Sequence, residues 1–582
     1  MMTSGDSPGG RGSTRHLSFA ACAGWVAFFG ILIAVARYWH SGQMGFYEDD
    51  YTLVTRAMAA SWPEVRDFIS SLLLSFGGQG RPQQHSLIYL LSWMAGRLGG
   101  LPQAYGLGWG ILTLNAALAF GLLRRLFPPA AALAGGLAFA LFGADTTQAF
   151  LYHSFGLQQS LTYLLLALQL YLADRRVLSY ILILGSLLSY ETAFPVFLAA
   201  PLLTTQRGRA LARDLARHAA VLAAMFLAVL ALRLATGESR VADLGFPDLL
   251  TVPLLHMLQG PVVSLGTFLY RPLQVIQALD GEMAAVLLAS FVGLAAALWL
   301  ARPEGGVTLS DVRAALRDRS TASLSESTRR LLRLAASGLG MVVLAYPLTF
   351  TIRAYAISGR DTRVHFAAVV GAAVLWACLA ELAYGLALTP MKRRLVSGLL
   401  AAYFAVMVGF GFVVQRSYVR AWELQRTLWT DVVRLCPDLG DGTVILVEPS
   451  GMEDPRFIYA NHWNLPRVLE QILVFPAVWE SPPRLFRLAP DWEGNLVTAG
   501  GRFRLDDSTV VAPPSLYQEV DSRQVIFLET VGGALRRVGG EMVVNGTGYP
   551  IRDMPQAVQP GFAPGFLFPD LIRPAELESI SP

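Results

Sequence analysis

Charge is what this sequence lacks. Only 15% of its 582 residues are charged, where a soluble chain carries roughly 25%. So little charge excludes an ordinary soluble enzyme, and the 54% hydrophobic content and mean hydropathy of +0.45 exclude a disordered chain. Most of the length must be spent on membrane-spanning helices. Lysine is nearly missing: Lys392 stands alone, and all other members of the 46 basic residues are arginine. With the alanine and glycine load, that is the coding bias of a GC-rich, bacterial genome. Cysteine is scarce too, with three residues, Cys22, Cys378 and Cys436, too few for a disulfide framework. There is no P-loop, no Cys/His metal spacing, no H-E-x-x-H and no dinucleotide fingerprint. Nucleic-acid binding has no support. The chain has no internal repeat and no low-complexity block beyond its Gly/Ser/Arg-rich start.

What is present divides in two. Up to Gln415 there are 31 basic and 21 acidic residues, and after it 15 basic and 21 acidic. A basic, apolar body is thus followed by a mildly acidic tail of ordinary composition. Apolar runs of about 20 residues mark spanning helices. The clearest are 17–38, 105–123, 130–145, 156–173, 216–235, 283–301, 331–352, 364–389 and 395–415, with broken stretches at 85–98, 177–203 and 253–270. The expectation is about 11–13 membrane segments. The first run lacks a small-residue cleavage site and reads as a retained helix. Basic clusters at Arg11/Arg15, Arg124–Arg125, Arg175–Arg176, Arg207–Arg217, Arg302–Arg333 and Lys392–Arg394 belong on the cytoplasmic side by the positive-inside rule. That assignment predicts that 85–98 does not fully cross, that 177–203 turns back on itself, and that 253–270 lies at or dips into the outer face. Residues 1–16 are then a cytoplasmic tail, and 17–415 the membrane domain with a long outer loop at 39–84. Residues 416–582 form an extracytoplasmic α/β or β-rich domain. Val65 to Phe76 has the amphipathic spacing of a helix lying on the bilayer.

Three clusters fall on the outer side. Phe46-Tyr47-Glu48-Asp49-Asp50-Tyr51 places three carboxylates in a row where bilayer physics requires none. A solvated acidic loop is the plainer explanation. Crowded carboxylates also raise one another's pKa, which suits a general base, and they could equally ligate a metal. Glu191, in Ser189-Tyr190-Glu191-Thr192, sits in an apolar stretch where a charge costs roughly 2–3 kcal/mol on translocon scales, so it faces a cavity or a partner; capping of the following helix is its structural alternative. Ser358-Gly359-Arg360-Asp361-Thr362-Arg363-Val364-His365 brings two arginines and a histidine to the outer interface, against the usual sidedness of basic residues. Arginine forks bind phosphate oxygens bidentately. Arg81-Pro82 is a weaker feature of the same kind. Asp145 and His153, at helix ends, read as structural, and Glu381 as paired at the cytoplasmic interface.

The order of these pieces resembles the multi-span glycosyltransferases of the GT-C fold, which use polyprenyl-phosphate-linked sugars and include protein O-mannosyltransferases and lipid A aminoarabinose transferases. The resemblance covers roughly residues 20–415. It rests on E-D-D-Y at 48–51, G-R-P at 80–82, the stretch from Leu114-Asn115 to Leu126-Phe127, S-Y-E-T at 189–192 and the block at 358–365. It implies a mainly α polytopic GT-C-like membrane protein of the bacterial inner membrane. Its active site would face outward, with a polyprenyl-phosphate sugar as donor and a lipid, glycan or protein as acceptor. It assigns acceptor activation to Asp49 or Asp50, with Glu191 in the same catalytic group. Donor phosphate binding falls to Arg81, Arg360, Arg363 and His365. Tyr190 stands where one branch of the family has a lysine, so a cation there must come from elsewhere, such as Arg81 or Arg363. The implied reaction is a single displacement that inverts the anomeric centre. A divalent cation is compatible with it and nothing in the sequence requires one. Two rival readings are a secondary transporter or lipid flippase, which would place Glu191 at the midplane, and a non-catalytic assembly protein, which would leave Asp49, Glu191 and Arg363 scattered.

Overall fold

The computed structural model describes residues 19–76, 80–236, 246–301, 325–350, 353–448, 455–460, 465–498, 500–532, 534–555 and 561–574. The body is helical: α1 (Phe19–Ile33, prolonged by a π-turn Ala34–Tyr38), α2 (Val54–Ala59), α3 (Trp62–Ser75), α4 (Pro82–Leu98), α5 (Leu101–Leu126), α6 (Pro129–Ala140) and α7 (Leu151–Leu172). Then come α8 (Arg176–Ser189), α9 (Gly208–Ala235), α10 (Phe246–Gln277), α11 (Gly281–Leu300), α12 (Glu326–Leu344), α13 (Val369–Leu386) and α14 (Pro390–Leu435). Among the described residues seven helical segments are long and apolar enough to cross a membrane, and three shorter helical segments are apolar. This is a multi-pass membrane protein.

Local chemistry explains where these helices start. Ser61 and Glu64 form a reciprocal capping box ahead of α3, with Pro63 in its first turn. Asp280, Ser325 and Thr389 accept N–H bonds from Met283, Thr328 and Lys392 at the heads of α11, α12 and α14. The amphipathic stretch in the first loop is α3, with Val65 and Leu72 buried and Leu73 and Leu74 exposed.

Residues 177–203 form a hairpin. α8 runs to Ser189, Tyr190 is extended, and a 3₁₀ segment Glu191–Leu203 returns, bringing Phe197 beside Tyr180 with ring centroids 6.3 Å apart. The stretch 253–270 departs from expectation. It lies within α10, a single helix of 32 residues whose part 251–277 is one of the seven segments of spanning length. The helix continues past its three prolines, and at one of them a neighbour takes up the carbonyl that is freed. Pro272 has no N–H for the Phe268 carbonyl, and the Tyr403 hydroxyl donates to that oxygen at 2.7 Å. Leu254, Leu258, Val262, Leu269 and Ile276 are exposed along the helix, as lipid-facing side chains are.

The described basic clusters gather at one end; residues 1–16, with Arg11 and Arg15, and 302–324 lie outside the described residues. Arg176 and Tyr171 hold Asp214 at 3.5 and 3.1 Å, Arg207 pairs with Glu326 at 2.6 Å, and Arg125 donates to the Gln169 carbonyl. Arg330 bonds the Leu126 carbonyl and pairs with the buried Glu381.

The boundary expected at 416 falls inside α14, which runs unbroken for 46 residues. The strand-rich module begins after it. Its main sheet holds β1 (Val444–Val447), β2 (Arg484–Leu488), β3 (Val510–Val511), β4 (Val525–Val531) and β5 (Ala534–Val538), in the order β3-β2-β1-β4-β5. The central three strands are parallel and the edge strands antiparallel. All four residues of β1 are buried, as both-face burial of a parallel strand requires. One face, with Ile445, Val447, Leu485, Ile526 and Leu528, joins the hydrophobic core of the helical body. The other, with Val444, Leu446, Phe486 and Phe527, closes a second core. The tail therefore shares a core with the bundle instead of hanging from it.

Candidate active site

At the end of the body opposite the basic loops, four pieces of chain meet. The first is the acidic turn, a 3₁₀ segment Glu48–Tyr51. Glu48 has φ +43°, a left-handed value that a side chain adopts only when its surroundings fix it. Those surroundings are dense. The Tyr47 hydroxyl donates to the Tyr418 carbonyl at 2.8 Å, and the Tyr51 hydroxyl to Gln425 at 2.6 Å. Asp50 accepts the N–H of Tyr47 at 3.0 Å and of Tyr152 at 2.9 Å. Asp50 is fully buried, so it ties the turn to the head of α7 and is sealed from any substrate.

Asp49 differs. Its side chain keeps 13% of its surface open and meets Arg360, whose Nη1 donates to both carboxylate oxygens at 3.1 and 3.2 Å. Arg363 Nη1 lies 4.0 Å from the same carboxylate and donates to His153 Nε2 at 3.2 Å. Both arginines come from a 3₁₀ segment, Arg360–Ala368, leading into α13. Thr362 pins that segment to Thr146 through a 2.9 Å hydroxyl pair.

Glu48 faces the same arginines, with Arg360 Nε at 3.5 Å. Burial pushes its carboxyl up to about 8 despite Arg360. Burial also raises Asp50 well above the ordinary range, against the two N–H bonds that favour its charge. The tail supplies the roof. Tyr459 N–H donates to Glu48 Oε1 at 3.2 Å, Phe457 N–H to Ser417 at 3.2 Å, and the Gly359 N–H to the Arg456 carbonyl at 2.9 Å. Gly359 has φ +64°, and a Cβ there would stand 2.8 Å from the Tyr459 hydroxyl.

A second cluster stands beside the first. Arg81 grips Glu191 with two N–H groups, and Arg233 adds a third bond at 3.4 Å while its Nε donates to the Gly80 carbonyl at 3.0 Å. The Arg81 guanidinium lies 4.4 Å from the Tyr190 ring centroid. Tyr152 connects the clusters: its N–H holds Asp50, its hydroxyl bonds His85 Nε2 at 3.0 Å, and it lies within electrostatic reach of Arg81. Tyr190 also packs on Phe366, with centroids 5.3 Å apart.

Of the residues singled out from sequence, Asp49, Arg360 and Arg363 form one contact group. Glu191 and Arg81 form another, and Asp50 lies behind the first. His365 belongs to neither. It is fully buried, with Nδ1 bonded to the Tyr346 hydroxyl at 2.8 Å and Nε2 to the Ala356 carbonyl at 2.9 Å, leaving no ring nitrogen for a phosphate. Tyr152, Arg233 and Tyr459 were missing from that selection, Glu48 was in the acidic motif without a role of its own, and His153 was read as structural. Arg233 carried a signal, as a lone charge in the apolar run of α9; Tyr459 carried none. Among the described residues no three His, Cys, Asp or Glu side chains are placed to hold a metal ion.

No family model and no curated protein matches the chain. Among solved structures it is similar to ArnT from Cupriavidus metallidurans, solved bound to undecaprenyl phosphate. The match has 14% identity, covers 74% of this chain and 83% of that one, and has a TM-score of 0.37. So loose a superposition leaves the chemistry of the site to its own residues.

Proposed function

We propose that this protein is a membrane glycosyltransferase that moves a sugar from a polyprenyl-phosphate carrier to an acceptor hydroxyl on the extracytoplasmic face, with inversion. One observation carries the reading: a partly open carboxylate, Asp49, is held between two arginines beside buried, protonation-prone carboxylates. The neighbouring Arg81–Glu191–Arg233 cluster carries one more positive than negative charge. Both support a site that takes an anionic donor and needs a base.

The step balances as follows. The acceptor oxygen bonds to the anomeric carbon while its proton passes to Asp49. The bond from that carbon to the carrier phosphate breaks, and the phosphate oxygen keeps the electron pair. Arg360 and Arg363 neutralise the developing charge. They can do so because a phosphate that draws them off Asp49 leaves its carboxylate oxygens free to accept the acceptor's proton. Glu48, held neutral below about pH 8, does not compete for the guanidinium charge. Asp50 and Tyr152 position the turn, and Arg81 and Arg233, fixed by Glu191, line the donor side. The gathering of these groups at one end, opposite the basic loops, favours transfer over transport.

The test is transfer of labelled sugar from a polyprenyl-phosphate donor by purified protein. Asp49→Asn is expected to abolish most turnover. Near-normal turnover in that variant would remove this site from consideration. Analysis of cell-envelope glycans in a deletion strain then identifies the acceptor.

A further inference from the structure

A second cavity, of about 380 Å³, lies at the same end of the molecule, between the last turns of α10, the middle of α14 and the tail segment 455–457. Gln274, Gln277, Arg416, Arg420, Arg456 and Phe457 line it. Its volume is in the range of small-molecule sites, roughly 300–1,000 Å³. Among the described residues, arginines outnumber carboxylates around it. Arg416 is neutralised by Asp280 at 2.7 Å and Glu282 at 2.8 Å. Among the described residues, Arg420 and Arg456 have no carboxylate within ion-pair distance.

Behind the wall is a third cation that, among the described residues, has no carboxylate partner. Arg271 is fully buried, and its three bonds go to the Gly143 carbonyl at 3.1 Å, the Gln274 amide oxygen at 3.0 Å and the Ile357 carbonyl at 2.9 Å, all neutral acceptors. Its guanidinium lies 5.4 Å from the Phe457 ring, and that of Arg456 lies 5.6 Å from the same ring. Like charges thus flank one aromatic side chain, Arg271 buried and Arg456 exposed at the cavity. A buried cation without an anion is costly. An anion in the cavity offsets that cost and screens the repulsion between the two arginines, and the Gln274 and Gln277 amides add hydrogen-bond donors for its oxygens.

The geometry points to a phosphate-binding site in this cavity, formed by Arg420 and Arg456 with Arg271 behind, separate from the Asp49 group and independent of the function proposed for it. A phosphate is the class that fits, because arginine forks bind its oxygens bidentately and the cavity opens beside two helices of membrane-spanning length. The phosphate could be carried by a lipid headgroup or by a soluble compound.

The experiment uses the full chain and two probes. The first is phosphatidic acid at a fixed fraction in phosphatidylcholine nanodiscs, with retained lipid read by native mass spectrometry. The second is inorganic pyrophosphate, read by titration calorimetry in detergent. Wild type should bind at least one probe, and the Arg420→Gln/Arg456→Gln double variant should bind it at least tenfold more weakly. Arg394→Gln, an exposed arginine near the far end of α14, should bind like wild type. Retention of phosphatidic acid that pyrophosphate does not displace assigns the site to a lipid headgroup. Pyrophosphate binding lost in the double variant assigns it to a soluble phosphate compound. Equal binding by wild type and double variant for both probes, or an equal loss in Arg394→Gln, overturns the proposal. Unchanged thermal unfolding of Arg420→Gln alone checks that any loss is not a folding defect.

Discussion

Glu191 and Asp49 each stand between two arginines, and they are held differently. Glu191 is saturated: Arg81 takes both of its oxygens and Arg233 one of them again, with side chains 12–15% exposed. Asp49 has one arginine at 3.1 Å and a second at 4.0 Å that is shared with His153. One carboxylate and two arginines therefore build a fixed strut in one place and an exchangeable pair in the other. The difference comes from the backbone. Arg81 and Arg233 are anchored by helix ends that also bond Gly80, whereas Arg360 and Arg363 lie on a short 3₁₀ segment under a roof borrowed from the tail.

The largest effect that sharpens this contrast is on rate. Asp49→Asn removes the proton acceptor at nearly constant size and should lower transfer by on the order of 10²–10⁴-fold with unchanged folding. Asp50→Asn should act through stability first, since its oxygens hold two N–H groups. If Asp50→Asn alone loses the rate, the assignment within the motif is reversed. Glu191→Gln should do the opposite of Asp49→Asn. It strands two poorly exposed guanidinium groups, and thermal unfolding should report a loss on the order of 3 kcal/mol. A stable Glu191→Gln protein that binds donor normally but turns over slowly would move Glu191 into the chemistry.

Smaller is Gly359→Ala, which forces alanine to φ +64° and against the Tyr459 hydroxyl. A cost of about 1–2 kcal/mol from the backbone alone is expected, read as a lower unfolding midpoint and faster proteolysis of the roof. The smallest is a pH effect at Glu48. Its folded value of about 8 lies above the ordinary 4.5, so its contribution to stability is complete below about pH 4.5 and is lost as pH rises through 8. The titratable groups facing it are Arg360, Arg363, Asp49, Asp50 and Tyr418. Glu48→Gln should flatten the fall in melting temperature between about pH 4.5 and about pH 8, the window those two values set. Identical slopes for variant and wild type would show that Glu48 is not the titrating group.

Much of this was legible in the sequence, for physical reasons. Helix positions follow from apolar length, and the common end of the basic clusters from the cost of moving arginine across lipid. The acidic triplet announced itself because nothing in a bilayer interface asks for it. α10 was misread because its prolines look like breaks, and the hydroxyl that repairs one of them, Tyr403, lies 131 positions beyond Pro272 in the sequence. His365 was misread because a histidine beside arginines looks available, and only Tyr346 and Ala356 reveal that it is not. The contribution of Tyr459 had no local signal, since its contact with Glu48 spans 411 positions and uses a backbone N–H that every non-proline residue possesses.

The unbroken course of α14 has a mechanical consequence. Its 46 residues span about 69 Å at 1.5 Å per residue, more than twice a bilayer's hydrocarbon core of about 30 Å. Its far half is a bearing for the roof: Ser417 and Tyr418 hold Phe457 and the acidic turn, and Thr430 holds the backbone of Arg573. Helices adjust their tilt to the thickness of the lipid around them. On a rigid rod with an overhang of roughly 30 Å, each 5° of tilt swings the far end by about 3 Å. The thickness of the surrounding membrane is thereby transmitted as a lever arm to the ceiling over Asp49.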